Sequence, residues 1–136
     1  MSRTTLGFIW TGMLYLLVGV ALGVVFLAAP STIKLQAVHV HLNLVGFVIF
    51  VIFGVAYHIL PRFRGRPLHS EKLAWFQFVM ANVGLLGLAL FWGLGAYFAI
   101  AGVRAFTTAF GAVLGLSILL FVYNMARTLW PSPKPA

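Results

Sequence analysis

Long apolar runs, separated by short polar or basic segments, dominate the hydropathy pattern of the chain. A membrane-spanning helix needs about 20 predominantly apolar residues, and four runs reach that length, at residues 6–29, 35–60, 73–98 and 105–129. The pattern therefore predicts an all-α membrane protein, a bundle of four transmembrane helices that forms one domain over residues 1–130. The proline-rich end, residues 131–136, is predicted to be a disordered tail.

Composition supports a membrane protein and excludes an ordinary soluble domain. Hydrophobic residues make up 62% of the chain and charged residues 7%, and the mean hydropathy is +1.07. The first apolar run exceeds the 7–15 residues typical of a signal-peptide core. We therefore expect it to be retained as a helix in contact with the lipid bilayer.

The net charge of +8 comes from basic residues in the segments between apolar runs, which favours a role in membrane orientation over nucleic-acid binding. Most of them fall on one side of the predicted bundle, with only Lys34 and Arg104 on the other. The positive-inside rule then places both termini in the cytoplasm. The residues predicted to be cytoplasmic are Arg3, Arg62, Arg64, Arg66, Lys72, Arg127 and Lys134.

The segment "QAVHVHLNLVGF" places His39 and His41 inside the second apolar run. Ionisable groups in a spanning segment are costly and mark functional sites by default. Because a helix turns about 100° per residue, the two side chains point about 200° apart and each needs its own partner. Both lie only about 8–10 Å beyond Lys34, in the outer leaflet, whereas His58 lies roughly 26 Å further along the helix, too far to share a metal with them.

Haem suits these two histidines better than a bare metal ion does. A zinc or copper site usually needs three or four converging ligands, while haem takes one or two axial imidazoles and packs its apolar faces against aliphatic side chains. The chain contains no cysteine, so thiolate ligands and covalent haem attachment are excluded. Any haem is expected to be bound non-covalently.

Other polar residues on the outer side are candidates for contacts with such a cofactor. Lys34, Gln36 and Arg104 are predicted to meet the haem propionates where they emerge into water, although basic residues at this depth commonly only extend toward the interface. Asn43 is expected to hydrogen-bond across a helix interface or to contact the cofactor.

The stretches "HVHLNLVGF" and "AYHILPRFRGR" resemble the tenth helix of the catalytic subunit of haem-copper oxidases of the C family and of the related nitric-oxide reductases. The segments "SEKLAWFQFVMANVGLLGLALFW" and "VRAFTTAFGAVLGLSILLFVYNMARTL" are similar to the eleventh and twelfth helices. In that family the first histidine of the pair binds a high-spin haem and the second a low-spin haem. The resemblance implies haem b ligated by His39 and His41, and a prokaryotic inner (plasma) membrane location.

The chain also departs from that family. The family's catalytic subunit has twelve or more helices, and its copper ligands and active-site tyrosine lie on helices with no counterpart here. No copper is therefore expected in this chain. The family's twelve helices form three arcs of four, so one chain resembles a single arc, and the resemblance implies a homo-trimer, with a dimer as the alternative. In a ring of three, His39 of one copy would meet His41 of the next around a shared bis-histidine haem.

Three functions remain open at the level of sequence. The first is an electron-transfer cytochrome, without an open iron position, that exchanges electrons with a quinol or an extracytoplasmic carrier. The second is a gas-binding or nitric-oxide-reductase-like haem protein with one free axial position. Because only this second function includes catalysis, the sequence leaves open whether the protein is an enzyme. The third is a non-catalytic assembly or haem-carrier subunit, in which the histidines only hydrogen-bond between helices.

Overall fold

The computed structural model of the protein describes residues 1–130 and is all-helical. Four continuous helical stretches, Arg3–Ala28, Pro30–Phe63, Glu71–Tyr97 and Val103–Leu129, are long and apolar enough to cross a membrane. The predicted fold class is confirmed, and the chain is a multi-pass integral membrane protein. The predicted disorder of residues 131–136 lies outside the described residues.

The second membrane helix changes its winding along its length, whereas the other three are regular. The regular helices are α1 (Arg3–Ala28), α4 (Glu71–Tyr97) and α5 (Val103–Leu129). The second begins as a 3₁₀ helix, continues as a short α-helix, widens into a π-helix and ends as an α-helix. Its four parts are Pro30–Leu35, α2 (Gln36–His41), the π segment Leu42–Ile49, and α3 (Phe50–Phe63). The π segment thus begins directly after His41.

Side-chain caps begin two of the helices. The Ser2 hydroxyl accepts a hydrogen bond from the Thr5 amide at the start of α1. The Ser70 hydroxyl accepts one from the Leu73 amide at the start of α4, where Glu71 occupies the first turn. Both bonds satisfy amides that have no partner inside the helix.

The second helix extends beyond the predicted apolar run, which stops at residue 60, because α3 continues through Pro61 to Phe63. Pro61 lies in the last turn, where its missing amide costs one hydrogen bond and the chain is about to leave the helix. The Gly65 amide then donates to the Arg62 carbonyl and the Arg66 amide to the Pro61 carbonyl. Gly65 has a φ of 67°, so these bonds form a Schellman cap in which glycine avoids a steric penalty.

Close helix contacts depend on aromatic clusters and on glycines. Phe8 of α1 is fully buried and makes edge-on contacts with Phe50, Phe53 and Phe78. Helices α4 and α5 pack so closely at Gly84 that a Cβ there would lie 2.6 Å from the Leu114 backbone nitrogen. Small residues permit this approach between membrane helices.

Buried polar side chains join the helices at the end that carries most of the basic residues. The Asn124 side chain of α5 accepts a hydrogen bond from the Ser70 amide and donates one to the Ser70 carbonyl. The Tyr57 hydroxyl of α3 donates to Gln77 Oε1 of α4 at 3.3 Å. These bonds attach the loop before α4 to α5, and α3 to α4.

Candidate functional site

His39 lies against α1. Its Nδ1 is 2.8 Å from the carbonyl oxygen of Gly19, and its ring lies 5.5 Å from the ring of Phe26. A Cβ at Gly23 would come within 3.1 Å of His39 Cε1. The imidazole therefore packs on α1 at Gly23, where the absence of a side chain leaves room for it.

His41 lies on a different side of the second helix, against α4. Its ring is 5.4 Å from that of Trp92, and its Nδ1 is 2.8 Å from the Ala37 carbonyl oxygen, one turn earlier. The two imidazoles thus contact different helices, as their two-residue spacing predicts. Both are half-buried, so each keeps accessible surface that a cofactor or a second copy of the chain could cover.

The two hydrogen bonds define which nitrogen of each ring carries the proton. A carbonyl oxygen only accepts, so Nδ1 must be the donor in both histidines. In the neutral imidazole Nε2 is then unprotonated, with its lone pair available to a metal. Metal-binding histidines characteristically donate their second ring N–H to a carbonyl or carboxylate, which fixes the ring and raises its basicity. The donor set therefore suits an axial ligand to iron.

Asn43 sits beside His39, although its hydrogen bond stays within the second helix. Its Nδ2 donates to the His39 carbonyl oxygen at 2.9 Å and lies 3.3 Å from His39 Nδ1 and 3.5 Å from His39 Nε2. A Cβ at Gly19 would lie 2.5 Å from Asn43 Nδ2, so Asn43 packs tightly on α1. The expected bond across the interface is replaced by this contact, and the amide stands next to the nitrogen that would bind a metal.

Lys34 and Arg104 line one cavity of about 610 Å³ where α4 ends and α5 begins. Trp92, which packs on His41, and Thr107 belong to the same cavity. The Lys34 ammonium also lies 5.7 Å from the centre of the Tyr97 ring, a favourable cation–π distance. Gln36 lies outside this cavity and is exposed at the start of α2. Two of the three predicted propionate contacts are thus brought together and the third is not.

Sequence reasoning missed the partners of the two histidines. The Gly19 and Gly23 pair indicates close helix packing, but not that the packed group is His39. Trp92 is one of four tryptophans and looks like an ordinary interfacial residue. Only the spacing of the glycines could have indicated the contact. Gly19 and Gly23 are four residues apart, so they lie on one face of α1 and mark it as a face that packs closely on another helix.

The other two histidines lie at the opposite end of the bundle. Arg62 Nη1 donates a hydrogen bond to His58 Nε2, and His69 is exposed and packs edge-on against Tyr123. Within residues 1–130, no three His, Cys, Asp or Glu side chains come together as a metal-binding group. A single copy therefore offers separate imidazoles and no converging ligand set.

Neither a scan against protein-family models nor a search of curated proteins gave a match for this chain. The resemblance to haem-copper oxidases thus stays a prediction from the quoted residues.

Proposed function

We propose that this protein is a small membrane cytochrome in which His39 of one copy and His41 of a neighbouring copy ligate a non-covalent haem b. The observation that carries the proposal is the pair of Nδ1 hydrogen bonds to Gly19 and Ala37, each 2.8 Å long. Each bond leaves Nε2 as the ligand atom, on two rings that face different helices. Two rings facing apart would serve two cofactors, each shared between adjoining chains.

The surroundings of the histidines support haem rather than a bare ion. Phe26 and Trp92, which lie beside the two imidazoles, offer apolar aromatic surface to a large planar group. Lys34 and Arg104 supply two positive charges in one cavity on the water-facing side, where carboxylates would find charge-assisted hydrogen bonds. A bound haem would supply reversible one-electron chemistry, with a potential set by its axial ligands and surroundings.

The role that follows is electron transfer near the outer face of the membrane. With both axial positions occupied by imidazole, the iron would have no open site for a substrate. A quinol or an extracytoplasmic electron carrier is the partner that this depth favours. A homo-trimer is the assembly proposed, because a closed ring gives every His39 a neighbouring His41.

Absorption spectra of the purified protein test the proposal. We expect a low-spin haem b spectrum in the oxidised and dithionite-reduced wild type, a pyridine haemochrome of b type, and loss of that spectrum in both His39→Ala and His41→Ala. His69→Ala, an exposed histidine at the other end, is the matched control and should keep the spectrum. A colourless wild type that takes up no added haem would contradict the proposal.

Carbon monoxide separates electron transfer from gas binding. A firmly bis-histidine iron leaves the reduced spectrum unchanged under carbon monoxide. A high-spin spectrum that survives one of the two substitutions and shifts with carbon monoxide would instead indicate a gas-binding haem with one free position.

A further inference from the structure

A second polar cavity, of about 230 Å³, lies at the end of the bundle away from His39 and His41. It is formed where α1 begins, where α3 ends and where the loop leads into α4. Its charged side chains are Arg62, Arg66 and Glu71, Met1 with its amino group also lines it, and its neutral polar side chains include Ser2, Thr5 and Tyr57. The only carboxylate side chain of the 136-residue sequence therefore shares a small cavity with two guanidinium groups.

The two arginines are oriented but retain free donors. Arg62 Nη1 donates to His58 Nε2, and Arg66 Nη1 donates to the Trp130 carbonyl oxygen at 3.1 Å. A guanidinium carries five N–H donors, and each of these bonds uses one nitrogen. Both groups therefore keep donors for the bidentate recognition of a phosphate, which suits arginine.

An apolar groove of about 320 Å³ lies on α3, and its residues Ile59 and Leu60 fall in the sequence between the cavity residues His58 and Pro61. Its lining includes Val51 and Val55, while His58 and Arg62 line the cavity. These four positions are three or four residues apart and form one stripe on the helix surface. The stripe is apolar in the middle of the membrane and basic at the end, as a lipid with its headgroup at Arg62 would require.

From this geometry we propose that the cavity and groove bind one phospholipid whose headgroup carries a phosphate and a primary ammonium group. Arg62 and Arg66 bind the phosphate, Glu71 binds the ammonium, and an acyl chain follows the α3 groove. Anionic headgroups are the usual ligands of basic pockets between membrane helices. Here Glu71 would attract an ammonium, which phosphatidylglycerol lacks, so the carboxylate favours an aminophospholipid over an anionic one.

Lipid retention in native mass spectrometry tests this assignment. Protein in mild detergent is mixed with equal amounts of phosphatidylethanolamine, phosphatidylglycerol and phosphatidylcholine. We expect preferential retention of phosphatidylethanolamine, because the methylated choline has no N–H to donate to Glu71. Arg62→Gln with Arg66→Gln should weaken retention about tenfold or more, the scale of a lost charge-assisted hydrogen bond. Arg64→Gln, an exposed arginine of the same loop that does not line the cavity, should leave it unchanged.

Glu71→Gln is the decisive variant, since it changes selectivity rather than binding as a whole. It should remove the preference for phosphatidylethanolamine over phosphatidylglycerol while both lipids are still retained, which also shows that the protein remains folded. Equal retention of the three lipids by the wild type, or unchanged retention in the double arginine variant, would overturn the proposal. Displacement of the lipid by millimolar inorganic phosphate would overturn it too, in favour of a free-phosphate site.

A bulky side chain in the groove tests the contribution of the acyl chain to lipid binding independently of the contribution of the headgroup. Val55→Trp should reduce retention of the intact lipid, but not the weaker binding of free O-phosphoethanolamine. Val122→Trp on the exposed face of α5 is the control for added bulk. The haem spectrum should not change in any of these variants, so failure of the lipid site and failure of the haem proposal remain distinguishable.

Discussion

Each histidine of the pair reaches its orientation without a ligand. The His39 ring is held by the Gly19 carbonyl of another helix and the His41 ring by the Ala37 carbonyl of its own. Rings that are already positioned lose less rotational freedom when they bind a metal. The His39 ring also touches the Asn43 amide at 3.5 Å, so metal binding at Nε2 requires only that this weak contact give way.

Lys34 and Arg104 carry a prediction at the same scale. Lys34→Gln and Arg104→Gln should each speed haem loss about tenfold or more, because a charge-assisted hydrogen bond contributes roughly 1.5–3 kcal/mol. The rate is measured by transfer of haem to an excess of apomyoglobin. Arg127→Gln removes a basic residue at the opposite end of the bundle and serves as the control. If haem is lost at the wild-type rate from both Lys34→Gln and Arg104→Gln, the cavity that these residues line does not contact the haem.

At the scale of whole elements, apolar run length predicted the four helices because the bilayer thickness sets that length. The first turns were missed, since Arg3, Thr4 and Thr5 are polar and become helical through the Ser2 cap. The π segment was also unpredictable. Its residues, Leu42–Ile49, suit an α-helix equally well, and Gly46 packs there against Tyr15 of α1, so the altered winding depends on tertiary packing.

The candidate site also has parts that the sequence predicts and parts that it does not. The two proposed ligand residues, His39 and His41, are visible in the sequence because histidine is costly in a membrane, and the different directions of their side chains follow from the helical repeat. The acceptors are backbone carbonyls, which every residue type carries, so no side-chain pattern reveals that Gly19 pairs with His39. That Lys34 and Arg104 line one cavity could not be predicted from the sequence, because it depends on how three helices are placed relative to one another.

Packing of α4 on α5 predicts unequal effects for two glycines. Gly84→Ala places a methyl group 2.6 Å from the Leu114 nitrogen and 2.8 Å from its Cα. Backbone atoms cannot rotate away, so the helices must separate, at about 1–3 kcal/mol for overpacking of this kind. Gly115→Ala, with no heavy atom within 4 Å, should be neutral or mildly stabilising. Unfolding midpoints in detergent measure both, and equal midpoints would contradict the packing described.

At the scale of the whole molecule, the proposed sharing of haem between copies predicts complementation. His39→Ala and His41→Ala, each colourless alone, should regain a low-spin haem b spectrum when co-expressed with different tags and purified through both. At some mixed interfaces an intact His39 of one variant faces an intact His41 of the other. Co-purification without haem would show that each copy binds its own cofactor or none.

Charge distribution predicts the orientation of the bundle. Arg3, Arg62 and Lys72 lie at helix ends on one side, which the positive-inside rule assigns to the cytoplasm. The chain has no native cysteine, so single cysteines report cleanly. Ala101→Cys in the outer turn should react with a membrane-impermeant maleimide in intact cells. Arg64→Cys should react only after the cells are broken, and the reverse pattern would invert the topology.

The bond between His39 and Gly19 has a consequence for mutational robustness. Its acceptor belongs to the peptide backbone, so amino-acid exchanges along α1 can crowd the imidazole but cannot delete the carbonyl oxygen that accepts its hydrogen bond. The bond is lost when His39 itself is replaced or when the imidazole is pushed away from α1, as a side chain at Gly23 would do. The protonation pattern of His39 therefore depends on how closely the second membrane helix packs against α1.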